Sequence, residues 1–185
     1  MKKMFLASSF VDVADLFVKF TDGKCGGKTI TFIPTASLPE EVKFYVATGR
    51  EALEKLGLLV DELEISTATK EEIAGKIQGN DYIYVTGGNT FFLLQELKRT
   101  GADKIITEQI RLGKPYVGES AGSIVLSRNI EYVKDMDDFT IAHPGNQIYR
   151  QRSGGLRKPC QRRQCRIRVK NQFHVSFYQI GRAHV

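Results

Sequence analysis

Over the first 138 residues, short β-rich runs alternate with stretches whose apolar residues recur at helical spacing. Lys3 to Ala7 predicts a strand, and Val11 to Phe20, apolar at 13, 14, 16, 17 and 20, predicts a helix. Lys28 to Ile33 is a second strand that stops at Pro34. Pro39 opens a long helix with Glu40 and Glu41 in its first turn, and Gly57 ends it near Leu56. Leu58 to Ile65 is a third strand. Thr69 to Ile77 is a helix with Thr69 as its N-cap and Glu72 three residues on. Asp81 to Val85 is a fourth strand, followed by helices over Thr90 to Lys98 and Asp103 to Leu112. Pro115 to Val117 is a fifth strand, Ser120 to Ser127 begins another helix, and Asn129 to Val133 reads as a sixth strand. Strands that alternate with helices predict an α/β fold, a mostly parallel sheet between two helical layers in a three-layer sandwich. No repeat and no second domain is visible.

After Asp138 this pattern fails. Gln147 to Lys170 is rich in Arg and Gln, is broken by Gly154-Gly155 and Pro159, and has no period that would bury a face. Charge divides at the same place. Residues 1–138 hold 17 basic and all 21 acidic residues, whereas 139–185 hold ten basic residues and no acid. The net charge of +6 is therefore a property of the tail. The expected organisation is an α/β domain over 1–138 and an irregular basic tail over 139–185. A nucleic-acid-binding arm is disfavoured, because aromatics do not interleave the basic residues over 150–170. The last six residues, Ile180 to Val185, resemble a translated sequencing adapter. The tail is accordingly read as frame-shifted or read-through sequence beyond a point between Asp138 and Arg150. Three cysteines, Cys25, Cys160 and Cys165, show no metal-binding spacing and fit a reducing compartment. The apolar run at the N-terminus is too short for a signal peptide and no run reaches membrane-spanning length, so a cytoplasmic location is expected.

The candidate chemistry lies at the carboxyl ends of the fourth and fifth strands. Gly118-Glu119-Ser120-Ala121-Gly122 places a serine between a strand and a helix, with glycine two residues before and two after. Such an elbow exposes a nucleophilic hydroxyl on a strained backbone, and the flanking positions pass too close to neighbours for a Cβ. The N–H of Ala121 is then placed to hold an oxyanion. Thr86-Gly87-Gly88-Asn89 ends the fourth strand, where open α/β sheets bind ligands. If the fourth and fifth strands are neighbours, the Gly88 N–H is a second oxyanion donor.

The segments YVTGGNTFFLLQEL at 84–97 and GKPYVGESAGSIVLS at 113–127 resemble the peptidase E family, the aspartyl-dipeptidase and cyanophycinase clan of serine hydrolases. The resemblance covers residues 1–138. It implies a class I glutamine amidotransferase-like (flavodoxin-like) fold, here incomplete at its C-terminal end. It also implies a Ser-His-Asp or Ser-His-Glu triad with Ser120 as nucleophile. Gly88 and Ala121 are implied as oxyanion donors, with Gly87 and Asn89 beside them in the substrate-binding loop. The family's acidic stretch after the elbow matches Asp135 to Asp138, with Asp135 as the candidate triad acid. The implied substrates are small peptides, in the type members those with an N-terminal aspartate. No metal, cofactor, nucleic acid or membrane partner is implied, and a homodimer is left open.

The triad also requires a base. The family sets its histidine after a further strand, in a context resembling Leu-Pro-His-Tyr, whereas this chain has Leu156-Arg157-Lys158-Pro159-Cys160 in the corresponding region. The three histidines are His143, His174 and His184; His143 sits in the turn-like Ala142-His143-Pro144-Gly145 and His174 in the strand-like Gln172 to Phe177. Three functions remain open. One is a dipeptidase, the second a hydrolase of other acyl groups such as esters or polymeric substrates, and the third an inactive relative that binds a ligand in the same crevice.

Overall fold

The structure, a computed structural model, describes residues 2–142 and 173–178. Strands β1 (Lys2–Ala7), β2 (Thr29–Ile33), β3 (Leu59–Glu62), β4 (Tyr82–Val85), β5 (Tyr116–Glu119) and β6 (Phe173–Tyr178) form one sheet in the order β3-β2-β4-β5-β1-β6. Every adjacent pair is parallel. The run β3-β2-β4-β5 repeats the 2-1-3-4 order of flavodoxin-like sheets, and β1 takes the place of the fifth strand. The switch point, where the chain changes its direction of travel across the sheet, therefore lies between β2 and β4.

Alternation along the strands divides the core in two. Ile83 and Val85 of β4 face one side with Leu6 and Ile33, packing on Ile73 and Ile77, Leu93 and Leu97, and Ile106 and Ile110. Those residues belong to α3 (Lys70–Gly79), α4 (Thr90–Thr100) and α5 (Ala102–Arg111). Tyr82 and Tyr84 face the other side with Phe5, Ile30 and Phe32, against Phe17 of α1 (Ala14–Phe20) and Leu53 of α2 (Phe44–Lys55). The expected three layers are thus present. Strands buried on both faces explain why their sequences read as continuous apolar runs.

Local signals fixed several ends. The Thr69 hydroxyl accepts the Glu72 N–H at 3.1 Å, capping α3 as expected. Gly57 takes φ +83° just after α2. Three expectations need correction. The helix expected from Pro39 begins only at Phe44. Residues Thr35–Ser37 first form a fully buried 3-10 turn, and the chain returns to the surface before a helix can start. The helix after Ser120, α6, spans only Ala121–Ile124. The Gly122 carbonyl, which would extend it, accepts from the Tyr116 hydroxyl at 2.6 Å instead. Asn129 to Val133 is no strand. Asn129 Oδ1 accepts the Glu131 N–H at 2.7 Å, and Glu131–Val133 is a 3-10 turn. Its two buried residues, Ile130 and Val133, are three apart and pack with Phe91 and Ala142, a turn's spacing rather than a strand's.

Within the stretch expected to be irregular, Phe139–Ile141 is a 3-10 turn and Phe173–Tyr178 is β6. Gln147 to Lys170, Cys160 and Cys165 lie outside the described residues. Among those described, no helix is long and apolar enough to cross a membrane.

Candidate active site

The crevice is built at the carboxyl end of the sheet, where β4 and β5 are neighbours in register from Ile83 opposite Tyr116 to Val85 opposite Gly118. Ser120 directly follows β5 with φ +45° and ψ −108°. A non-glycine residue in that region is strained and persists only where its surroundings hold it. Several bonds do so. The Ser120 N–H donates to the Ala7 carbonyl at 2.9 Å, tying the elbow to β1. The Ser123 hydroxyl donates to the Gly118 carbonyl at 2.6 Å. The Ser120 carbonyl accepts the N–H groups of Ser123 and Ile124, both at 2.9 Å.

Both elbow glycines are required by close approach. A Cβ on Gly118 would lie 2.6 Å from the Gly122 carbonyl oxygen, and one on Gly122 would lie 2.2 Å from that of Val85. Gly87 faces the nucleophile itself, since a Cβ there would stand 3.3 Å from the Ser120 Cβ. Gly88 has φ +131° and packs on the buried turn after β2, where its Cβ would meet the Ala36 carbonyl oxygen at 2.2 Å.

Hydrogen bonds then fix the loop from 86 to 90 almost completely. The Gly87 carbonyl accepts from the Thr86 hydroxyl at 3.0 Å. The Asn89 N–H donates to the Ala36 carbonyl at 2.8 Å. Asn89 Oδ1 caps α4 by accepting the Phe92 N–H at 2.9 Å, and Asn89 Nδ2 donates to the Asp138 carbonyl at 2.9 Å. The Thr90 N–H donates to Asp137 Oδ2 at 2.8 Å. Among the described residues, the N–H groups of Gly88 and Ala121 donate to nothing. Ala121 directly follows Ser120, and Gly88 directly follows the glycine that faces it, so both unengaged donors lie in segments that adjoin the strained serine.

Glu119 was not singled out from sequence, where it is the variable position of the elbow. Its carboxylate is buried, with 5% exposure, and Oε1 accepts the Phe10 N–H at 2.8 Å while Oε2 accepts the Tyr84 hydroxyl at 2.8 Å. Burial pushes its carboxyl above the ordinary range, and the bonds from Phe10 and Tyr84 oppose that shift. The signal available was an acid at the end of an otherwise apolar strand. Tyr45 was also missed. Its ring lies 3.7 Å from where a Gly87 Cβ would stand, and its buried hydroxyl makes no hydrogen bond among the described residues. Burial, then the charges of Glu40, Glu119 and Asp137, push that hydroxyl up to about 12.

Of the acidic stretch, Asp137 is the side chain that reaches the crevice loop, whereas Asp135 stands exposed in the turn after Val133. The only histidine in the described segments is His174, whose backbone stands opposite Lys3 in the β1–β6 pairing. Ala7, not Lys3, is level with Glu119. Four residues of strand, about 13 Å, thus separate His174 from the end of the sheet that carries Ser120. His143 and His184 lie outside the described residues. Among those described, no cluster of His, Cys, Asp and Glu could hold a metal ion.

Comparison with known proteins identifies the family. The family model of peptidase family S51 matches residues 4–148. The chain belongs to peptidase family S51. The match runs ten residues past the boundary expected at Asp138. An uncharacterized peptidase of Listeria monocytogenes is 62% identical over 137 residues, which are 74% of this chain and 66% of that protein. Peptidase E of Haemophilus influenzae is 36% identical over 110 residues, 60% of this chain and 49% of that protein. The crystal structure of a candidate peptidase E from Listeria monocytogenes EGD-e superimposes with a TM-score of 0.76 at 60% identity, covering 78% of this chain and 71% of that one. The chain spans about two thirds of the length of such curated relatives, 66% of the Listeria monocytogenes protein and 67% of an uncharacterized peptidase of Pasteurella multocida.

Proposed function

We propose that this S51 chain carries the nucleophile and oxyanion hole of a serine peptidase acting on small peptides, including those that begin with aspartate. The reading rests foremost on one observation: a strained Ser120 is followed directly by Ala121 and faced by the Gly87-Gly88 loop, and the N–H groups of Gly88 and Ala121 are engaged by nothing else among the described residues. Attack by Ser120 Oγ on a peptide carbonyl forms a C–O bond and moves the carbonyl electron pair onto oxygen. Those two donors would receive that charge where it develops, at the moment it needs stabilising. The Ser120 proton passes to a base, and the same proton then leaves with the amine as the C–N bond breaks.

Two further features favour a free peptide N-terminus as the group recognised. Carboxylates of Glu40, Glu119 and Asp137 all act on the Tyr45 hydroxyl beside Gly87, a negative field suited to an α-ammonium group. Relatives named peptidase E from several organisms are 37%, 36% and 39% identical to this chain over 105, 110 and 106 residues. The acid of the triad is assigned to Asp135, following the family pattern, with Asp137 as its competitor because of its contact with the crevice loop.

A fluorophosphonate probe, followed by mass spectrometry and by assay on Asp-initiated dipeptides, tests this reading. Covalent labelling that vanishes in Ser120→Ala, together with release of aspartate, is the expected result. A chain that binds an Asp-dipeptide but neither labels nor hydrolyses it would instead be the ligand-binding relative.

A further inference from the structure

We infer that Asn89 is a positioning residue whose side-chain amide holds the acidic turn of Asp135 to Asp138 against the glycine loop, and so places the acid assigned to the triad. The inference rests on the proposed roles of Ser120 and Asp135. It moves Asn89 from substrate binding, which the family resemblance implies for it, to support of the acid. The side chain is taken up at both ends. Asn89 Oδ1 accepts the Phe92 N–H and Asn89 Nδ2 donates to the Asp138 carbonyl, each at 2.9 Å. A donor on one side and an acceptor on the other dictate which way the amide faces. The residue is 1% exposed, and its own N–H donates to the Ala36 carbonyl at 2.8 Å. Such a side chain has no free surface for a ligand and serves as a bracket between the glycine loop and the turn across it.

That turn is held as one unit. The Val133 carbonyl accepts the N–H groups of Met136 and Asp137, both at 2.9 Å, closing residues 133–137 on themselves. Val133, 1% exposed, anchors the near end in an apolar cluster with Phe91 and Ile130. The far end meets the glycine loop through consecutive residues: Asp137 Oδ2 accepts the Thr90 N–H at 2.8 Å, and the Asp138 carbonyl accepts from Asn89. Asp138 Oδ1 in turn accepts the Thr140 N–H at 2.8 Å and the Thr140 hydroxyl at 2.6 Å, which sets the direction of the chain as it leaves the bracket. Asp135, exposed within the turn, thus takes its place from Val133 on one side and from Asn89 and Thr90 on the other. Without the Asn89 bond, the far end keeps the Asp137 contact and the edge-on packing of Phe139 on Phe91 at 6.3 Å, neither of which fixes the Asp138 carbonyl.

Two variants separate the bracket from the helix cap. Asn89→Ser and Asn89→Asp both keep an oxygen for the Phe92 N–H, and serine, aspartate and asparagine cap helices about equally well. Neither offers an amide donor to the Asp138 carbonyl. In the 185-residue chain, amide exchange of Thr90 and Phe92 is followed by NMR, in parallel with fluorophosphonate labelling and hydrolysis of Asp-initiated dipeptides. In the serine variant, Thr90 exchange is expected to accelerate about tenfold while Phe92 and the amides of α5 stay slow. Labelling and kcat are expected to fall about 100-fold with KM unchanged, the effect of a misplaced catalytic group. Unchanged Thr90 exchange overturns the inference. So does a raised KM with kcat and labelling kept, which would mark Asn89 as a substrate contact. If the parent itself neither labels nor hydrolyses, the reading of Ser120 fails, and Thr90 exchange still decides whether Asn89 holds the acidic turn. If the serine variant does not fold, the aspartate variant is read by the same criteria.

Discussion

Gly122 and the Val85 carbonyl approach so closely that a single methyl group on Gly122 would stand 2.2 Å from the oxygen. The contact joins the helix after the nucleophile to the strand beside it, and it fixes how near Ser120 comes to the Gly87–Gly88 loop. Gly122→Ala must therefore push β4 and α6 apart. The expected cost is about 1–3 kcal/mol from overpacking, with a lowered thermal midpoint by calorimetry and slower labelling of Ser120. An alanine variant with unchanged midpoint and labelling rate would show that the strand and helix separate freely.

This elbow was legible in the sequence apart from the length of its helix, because its requirements are local: a strand, two glycines at fixed offsets and a turn into a helix. The Gly87-Gly88 loop was legible for the same reason. What supports them was not. Glu119 meets the Phe10 N–H across 109 residues and the Tyr84 hydroxyl across 35, and no periodicity records such pairings. The order of strands was likewise invisible beyond the expectation of a parallel sheet. Asn129 to Val133 misled because a β-branched and aromatic run looks the same whether it packs at a spacing of two or of three.

Thr86 offers a second handle on the glycine loop. Its hydroxyl is buried and donates to the Gly87 carbonyl at 3.0 Å. Thr86→Val removes that bond and leaves the carbonyl to turn. A loss of about 1–2 kcal/mol in stability is expected from the unpaired group, measurable by urea unfolding. Labelling of Ser120 should fall by more than stability explains at saturating folded protein, because the Gly88 peptide is released.

Two carboxylates are expected to act on stability with opposite sign in pH. Asp81 accepts the Thr29 N–H at 2.9 Å, the Thr29 hydroxyl at 3.0 Å and Lys28 Nζ at 3.0 Å, joining the starts of β2 and β4. The Thr29 N–H foremost holds its carboxyl below the ordinary 3.8. Its contribution is therefore present above pH 3.8 and is lost as pH falls through the lowered folded value. Glu119 is raised above the ordinary 4.5 by burial, so its contribution is full below that pH and declines as pH rises through the folded value. Urea midpoints measured between about pH 3 and 7 should show Asp81→Asn flattening the acid side and Glu119→Gln flattening the decline above it. Parallel curves for parent and variants would refute both assignments.

Lys114 closes the end of α3. Its ammonium donates to the carbonyls of Ile77 at 2.7 Å, Gln78 at 2.8 Å and also Asn80. Carbonyls at a helix C-terminus lack partners within the helix, and a cation there also meets the negative end of the dipole. Lys114→Met keeps the apolar stem and removes the three donors. A destabilisation of about 1–3 kcal/mol is expected by chemical denaturation, with labelling of Ser120 unaffected because the cap lies at the opposite end of β4. A neutral effect would mean that water replaces the ammonium at no cost.

The last prediction concerns the base. Attack by Ser120 needs a proton acceptor within hydrogen-bond reach, and His174 is the one histidine in the described segments. The parallel register fixes its level in the sheet: Lys3 opposite His174, Ala7 opposite both Tyr178 and Glu119. The residue is thus about 13 Å from the catalytic end along the strand direction, and β1 stands between it and β5. The distance is set by backbone pairing. His174→Ala is therefore expected to leave the rate of fluorophosphonate labelling, and any dipeptide hydrolysis, within twofold of the parent, whereas Ser120→Ala abolishes both. If His174→Ala removed labelling while far-UV circular dichroism and the thermal midpoint stayed unchanged, the pairing of β6 with β1 would be wrong in the working protein, and the base would have been found.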